Sequence, residues 1–117
     1  MIVELREYTL HPEHTVQDYL SLYERDGLEL QRAALGTMLG YYVVEIGQLN
    51  QIVHMWGYES FDDRAARRRE LAAKPQWRAF LRQVRPMLAN MSNRIMLPTS
   101  FSPVPLGPVS SNNYERR

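Results

Sequence analysis

The feature that most constrains this 117-residue chain is a pair of strand-like runs set almost back to back near its middle. Residues 38–46, MLGYYVVEI, and 51–58, QIVHMWGY, are rich in β-branched and aromatic types, and only Gly47-Gln48-Leu49-Asn50 separates them. That spacing predicts a hairpin. A two-residue turn at Gln48-Leu49 would pair Glu45 with Ile52, Val43 with His54 and Tyr41 with Trp56, and directly opposed residues share a face. An isolated hairpin cannot hold itself together in water. The flanking segments must therefore bring further strands and a covering layer.

Both are legible. Residues 2–9, IVELREYT, alternate as a strand, and His11-Pro12 ends it because proline lacks the ladder donor. Thr15 with Asp18 reads as a capping box, and Val16, Tyr19, Leu20 and Tyr23 recur as one helical stripe. Gly27 predicts a bend or restart, and Gly36 a C-terminal stop. Beyond the hairpin, Ser60 followed by Asp62 and Asp63 opens a helix through DDRAARRRELAA. Pro75 suits the first position of another helix, on which Trp77, Phe80, Leu81, Val84 and Leu88 form a stripe. Pro86 predicts a kink. Residues 92–98, SNRIMLP, read as the last strand. The order β-α-β-β-α-β is that of the ferredoxin-like α+β fold, a four-stranded antiparallel sheet with helices on one face. Residues 1–98 make one domain. Residues 99–117 form a proline-rich tail, either a flexible end or an arm on a neighbouring subunit.

Composition narrows the function classes. Fourteen basic residues against thirteen acidic ones give a net charge of +1, so nothing global asks for nucleic acid or an anionic membrane. No run approaches the roughly 18 apolar residues of a membrane span. There is no cysteine, which excludes disulfides, thiolate metal sites and thiol nucleophiles. The start lacks a signal-like basic and apolar stretch, so a cytoplasmic location is expected. No glycine-rich phosphate loop, nucleophile elbow or paired-histidine metal motif occurs, so no cofactor and no metal is implied.

Polarity assigns the sheet faces. Val3, Leu5, Val53, Met55 and Gly57 suit packing beneath helices. Glu4, Arg6, Tyr8, Tyr41, Glu45, Asn50, His54, Trp56 and Tyr58 then fall on the uncovered face, since Glu45 is a poor residue to bury. A monomer gains nothing by exposing so aromatic a patch. The expectation is a homodimer with its sheets face to face and a lined cavity between them. His54, the only histidine within a predicted strand, is the candidate acid/base, oriented by Glu4, Glu45 or Tyr41. Arg6 either pairs with Glu4 or Glu45 or anchors a substrate carboxylate. Tyr8, Tyr41 and Trp56 are core aromatics or the walls of a pocket for a small aromatic or apolar ligand. Arg64, Arg67, Arg68 and Arg69, interleaved with acids, read as a solvated helix face above Ala65, Ala66 and Leu71.

The stretch GYYVVEIGQLNQIVHMWGY of residues 40–58, with ELREYTL near the start and ESFDDRAARRREL after the hairpin, resembles the NIPSNAP family. The resemblance covers about residues 2–101 and is most specific at LNQIVHMWGYES, Leu49–Ser60. It implies the dimeric α+β-barrel fold shared with small antibiotic-biosynthesis monooxygenases and some haem-handling proteins. It also marks Asn50, His54, Trp56 and Tyr58 as signature positions. Eukaryotic members are associated with mitochondria and protein interaction; this chain has no transit-like start, so that address is not carried over. Three functional readings follow. One is a small-molecule site supporting cofactor-independent oxidation or isomerisation. The second is a scaffolding module with a closed barrel, and the third is haem binding through His54.

Overall fold

The structure, a computed structural model, describes residues 1–103. Most of the proline-rich tail lies outside the described residues. In chain order the elements are β1 (Ile2–Leu10), α1 (Val16–Asp26), α2 (Leu28–Leu35), β2 (Thr37–Val43), β3 (Gln51–Tyr58), α3 (Phe61–Ala72), α4 (Pro75–Val84) and β4 (Leu88–Met96). The sheet is antiparallel in the order β2-β3-β1-β4, the ferredoxin-like arrangement.

Local chemistry sets most boundaries. The Thr15–Asp18 capping box starts α1, and the Ser60 hydroxyl accepts the Asp63 N–H at the start of α3. Gly27 separates α1 from α2. A Cβ there would lie 3.0 Å from the Phe80 ring, so the missing side chain lets this corner close onto α4. Gly36 stops α2 at φ 87°. Pro86 does not kink α4; the helix ends at Val84 and Pro86 sits in a 3₁₀ turn, Arg85–Met87, from which β4 starts earlier than expected. Trp77, Phe80 and Val84 carry α4 into the core, each contributing roughly 1.5–3 kcal/mol of burial.

Two expectations about the hairpin are corrected. β2 ends at Val43, so residues 44–50 form a longer connection and Glu45 is exposed outside the ladder. Val43 pairs with Ile52 and Tyr41 with His54, a register two residues from the expected one. A slip of two preserves side-chain faces. Tyr41, His54 and Trp56 therefore still share a face.

That face, however, is the covered one. Tyr8 meets Tyr19 of α1 edge-on at 6.2 Å, and Tyr41 stacks on Tyr23 of α1 at 4.8 Å. Ile52, His54 and Trp56 are wholly buried. Glu4, Arg6, Tyr8, Tyr41, His54, Trp56 and Tyr58 lie beneath the helices. By strand alternation Leu5, Val53 and Met55 point away from them, beside the half-exposed Tyr42. The polarity argument failed because the charged groups on this face, Glu4 and Arg6, are paired, while its large rings fill the space beneath four helices.

Candidate functional site

The polar centre of the covered face is Glu4. It is fully buried and accepts four hydrogen bonds. Arg64 of α3 donates twice, from Nε at 3.0 Å and Nη2 at 2.8 Å, Arg6 Nη1 donates at 2.9 Å, and Asn93 Nδ2 of β4 at 2.8 Å. Burial alone would raise the carboxyl pKa. The hydrogen bonds from Arg64 and Asn93 and the nearby guanidinium charges more than offset it, and lower the value from 4.5 to about 2. Arg6 also donates from Nε to the Tyr8 hydroxyl at 3.0 Å. Of the two partners proposed for Arg6 from the sequence, Glu4 is the real one.

His54 stands two residues along the middle strand from Trp56, whose indole Nε1 donates to its Nδ1 at 2.8 Å. An accepting Nδ1 puts the proton on Nε2. That Nε2 is buried and has no hydrogen-bond partner among the described residues. The ring stacks on Tyr41 at 4.6 Å and meets Tyr8 edge-on at 4.8 Å. Burial first, and the positive charge of Arg6 second, lower its pKa from 6.5 to about 3. His54 is therefore a neutral donor at pH 7. The acid/base role expected from the sequence calls for a group that titrates near neutrality, and burial shifts this ring downward from that range.

Beside this network lies a partly enclosed cavity of about 80 Å³ between β1, β4 and the helices. Arg6, Tyr8, Gln31, Arg68 and Arg85 supply most of its polar lining, and Trp77, Phe80, Leu81, Val84 and Leu88 its apolar wall. Of the residues singled out from the sequence, Arg6 and Tyr8 reach it. His54, Trp56 and Tyr58, with the partly buried Tyr41, form the layer beside it, and burial raises the Tyr58 hydroxyl pKa to about 12. Glu45 is exposed in the hairpin loop and Asn50 is elsewhere. At φ 59°, Asn50 turns its Nδ2 onto the carbonyls of His11 at 3.1 Å and His14 at 2.9 Å, tying the hairpin to the loop after β1.

Sequence reasoning missed Arg64, Arg68, Arg85 and Gln31. The solvated-face expectation for the basic helix is corrected in part. Arg64, Arg67 and Arg68 are all partly buried, whereas Ala66 and Arg69 are exposed. Arg67 bridges to Asp63 and donates to the carbonyl of Ala34. A signal was present: residues 64, 67, 68 and 71 have the i, i+3, i+4, i+7 spacing of an inward stripe. Among the described residues no three His, Asp or Glu side chains converge as metal ligands, and no helix is long and apolar enough to cross a membrane.

The architecture defines the class first. The chain is a ferredoxin-like α+β protein, and an antibiotic biosynthesis monooxygenase superposes on it with a TM-score of 0.60 over 85% of this chain and 99% of that one. At 15% identity that likeness is one of fold. Sequence goes further. The NIPSNAP family profile matches residues 3–103. A NIPSNAP-like domain protein from Burkholderia xenovorans is 47% identical with a TM-score of 0.86, covering 92% of this chain and 91% of that one. A NIPSNAP family protein from Agrobacterium tumefaciens is 45% identical with a TM-score of 0.85, covering 88% and 97%. The mouse protein NipSnap homolog 3B is 37% identical over 75 residues, 63% of this chain and 29% of that protein. The chain belongs to the NIPSNAP family. It spans about a third or less of the length of the curated relatives it matches.

Proposed function

We propose that this chain binds a small molecule in the cavity between its own sheet and helices, rather than between two paired sheets. The carrying observation is a void of about 80 Å³ lined by both charged and aromatic side chains. Close-packed interiors leave few gaps larger than a water molecule, and here the gap opens onto Arg6 and Tyr8 of the polar network. No carboxylate or imidazole lines it, so the arrangement favours binding over the proton transfers that oxidation or isomerisation would demand. Haem does not fit: His54 is wholly buried and off the cavity, and the volume is far below that of a porphyrin. The outward sheet face, with Leu5, Tyr42, Val53 and Met55, suits pairing with a second copy. A homodimeric barrel would then leave one such site in each protomer.

A ligand-observed and protein-observed NMR screen of small fragments tests the site. The chain has two tryptophans, so the indole N–H signals separate cleanly. Hits should move the Trp77 indole signal, on the cavity wall, while leaving that of Trp56 nearly still. Hits that map to another surface, or no hits of any class, would refute the assignment.

A protein-interaction reading has one observation in its favour. The hairpin loop presents Ile46 at 91% and Leu49 at 74% exposure, a pair of apolar side chains at the protein's edge.

A further inference from the structure

We infer that the cavity selects a small organic anion, a carboxylate of two or three carbons, because its polar lining offers hydrogen-bond donors and almost no acceptor. The inference rests on the binding-site reading above. Arg6, Arg68 and Arg85 are guanidiniums, donors without an acceptor. Arg6 is held by Glu4 and Tyr8; among the described residues neither Arg68, which lies beside the Tyr58 hydroxyl, nor Arg85 makes a salt bridge. The Tyr8 oxygen accepts from Arg6, which turns its O–H toward other partners.

Gln31 is the deciding group, because an amide can show either end. It meets the Tyr23 hydroxyl at 2.6 Å, a separation suited to O–H···O and short for N–H···O. The carbonyl oxygen is therefore the atom engaged, and the amide N–H₂ is left to donate. Of the polar groups on the wall only the two tyrosine hydroxyls, Tyr8 and Tyr19, keep a lone pair that could accept. No aspartate or glutamate lines the cavity, and the nearby Glu4 is already shared between Arg6 and Arg64. A neutral ligand with donors of its own would leave those groups unmatched. An anion with acceptor oxygens would meet all of them.

Size and shape narrow the class. A volume of about 80 Å³ suits only a small ligand. That is room for a carboxylate head and a short tail. The tail is required by the other wall, where Phe80, Leu81 and Val84, with Leu88 at the start of β4, are apolar side chains and Trp77 adds a largely apolar ring. Bicarbonate or phosphate would satisfy the donors but leave this wall facing charge.

The test titrates the full chain with propionate at fixed ionic strength, following the Trp77 indole signal and the melting temperature. Propionamide, bicarbonate and inorganic phosphate are run in parallel. Saturable binding of propionate, at least ten-fold tighter than propionamide and tighter than either inorganic ion, supports the inference. Arg68→Met should weaken it at least ten-fold and the more exposed Arg85→Met by less, while Arg69→Met, exposed on the same helix, leaves it unchanged. Circular dichroism confirms that each variant is folded; should Arg68→Met unfold, Arg85→Met carries the test alone. Propionamide binding as well as propionate, or propionate indifferent to both substitutions, overturns the anion assignment while leaving a small-molecule site. Tighter binding of bicarbonate or phosphate overturns the carboxylate. If no probe of any charge moves Trp77, the binding-site reading fails with it.

Discussion

Replacing Arg64 by Met probes the centre of the covered face. The pKa of Glu4 falls from 4.5 to about 2 in the folded chain. At about 1.36 kcal/mol per unit, the ionised carboxylate contributes about 3 kcal/mol above pH 4.5. The sign follows from the direction of the shift. A lowered pKa stabilises the fold above the unfolded value, and the contribution is lost as pH falls through 4.5 toward 2. Arg64 is the largest of the influences that hold the value down, and it supplies two of the four hydrogen bonds. Its side chain is 24% exposed, so part of the effect is screened by water. Arg64→Met should therefore cost about 2–3 kcal/mol in urea unfolding at pH 7, and the gap from wild type should narrow below pH 4.5. The Glu4 pKa, followed by carbon NMR of the carboxyl, should rise above its usual value once burial is no longer offset. Arg69→Met, exposed on the same helix, should cost less than about 0.5 kcal/mol. An Arg64→Met loss as small as that, or a gap that does not change with pH, would refute the buried-pair reasoning.

Further outcomes follow from the same network. The neutral His54, with a pKa of about 3 against 6.5 unfolded, makes the fold lose stability as pH drops from 6.5 toward 3, by a few kcal/mol; His54→Gln should flatten this limb of the stability profile. Nitrogen NMR of His54 at pH 7 should show a neutral ring protonated at Nε2, and a charged ring would contradict the indole hydrogen bond. Asn50→Ala should cost about 2–3 kcal/mol and Asn50→Gly about 1 kcal/mol less, because Gly accepts the positive φ but neither restores the carbonyl contacts; equal melting temperatures would remove the backbone part of that account. Sedimentation should give about twice the monomer mass, and Met55→Lys on the outward sheet face should halve it while far-UV circular dichroism stays constant; a wild-type monomer would sink the barrel.

The sequence alone determined what depends on near neighbours. The Thr15–Asp18 box, the break at Gly27, the Ser60 cap and the start at Pro75 are local hydrogen-bonding and steric effects, so each was legible and each marks an observed boundary. The extent of the third strand, residues 51–58, and the β-α-β-β-α-β order came from periodicity, which is also local. The shared face of Tyr41, His54 and Trp56 survived an error in the hairpin register because a slip of two keeps the side-chain period. Which face meets the helices could not be read in this way. Glu4, Arg6 and His54 look like surface residues until Arg64 arrives from sixty positions away and Asn93 from eighty-nine, making a buried charge affordable. The same holds for the cavity. Gln31, Arg68 and Arg85 belong to different elements, and only their packing over Arg6 and Tyr8 makes a site. Desolvation decides both outcomes: the cost of burying a polar group depends on partners that the fold, not the neighbouring sequence, brings within reach.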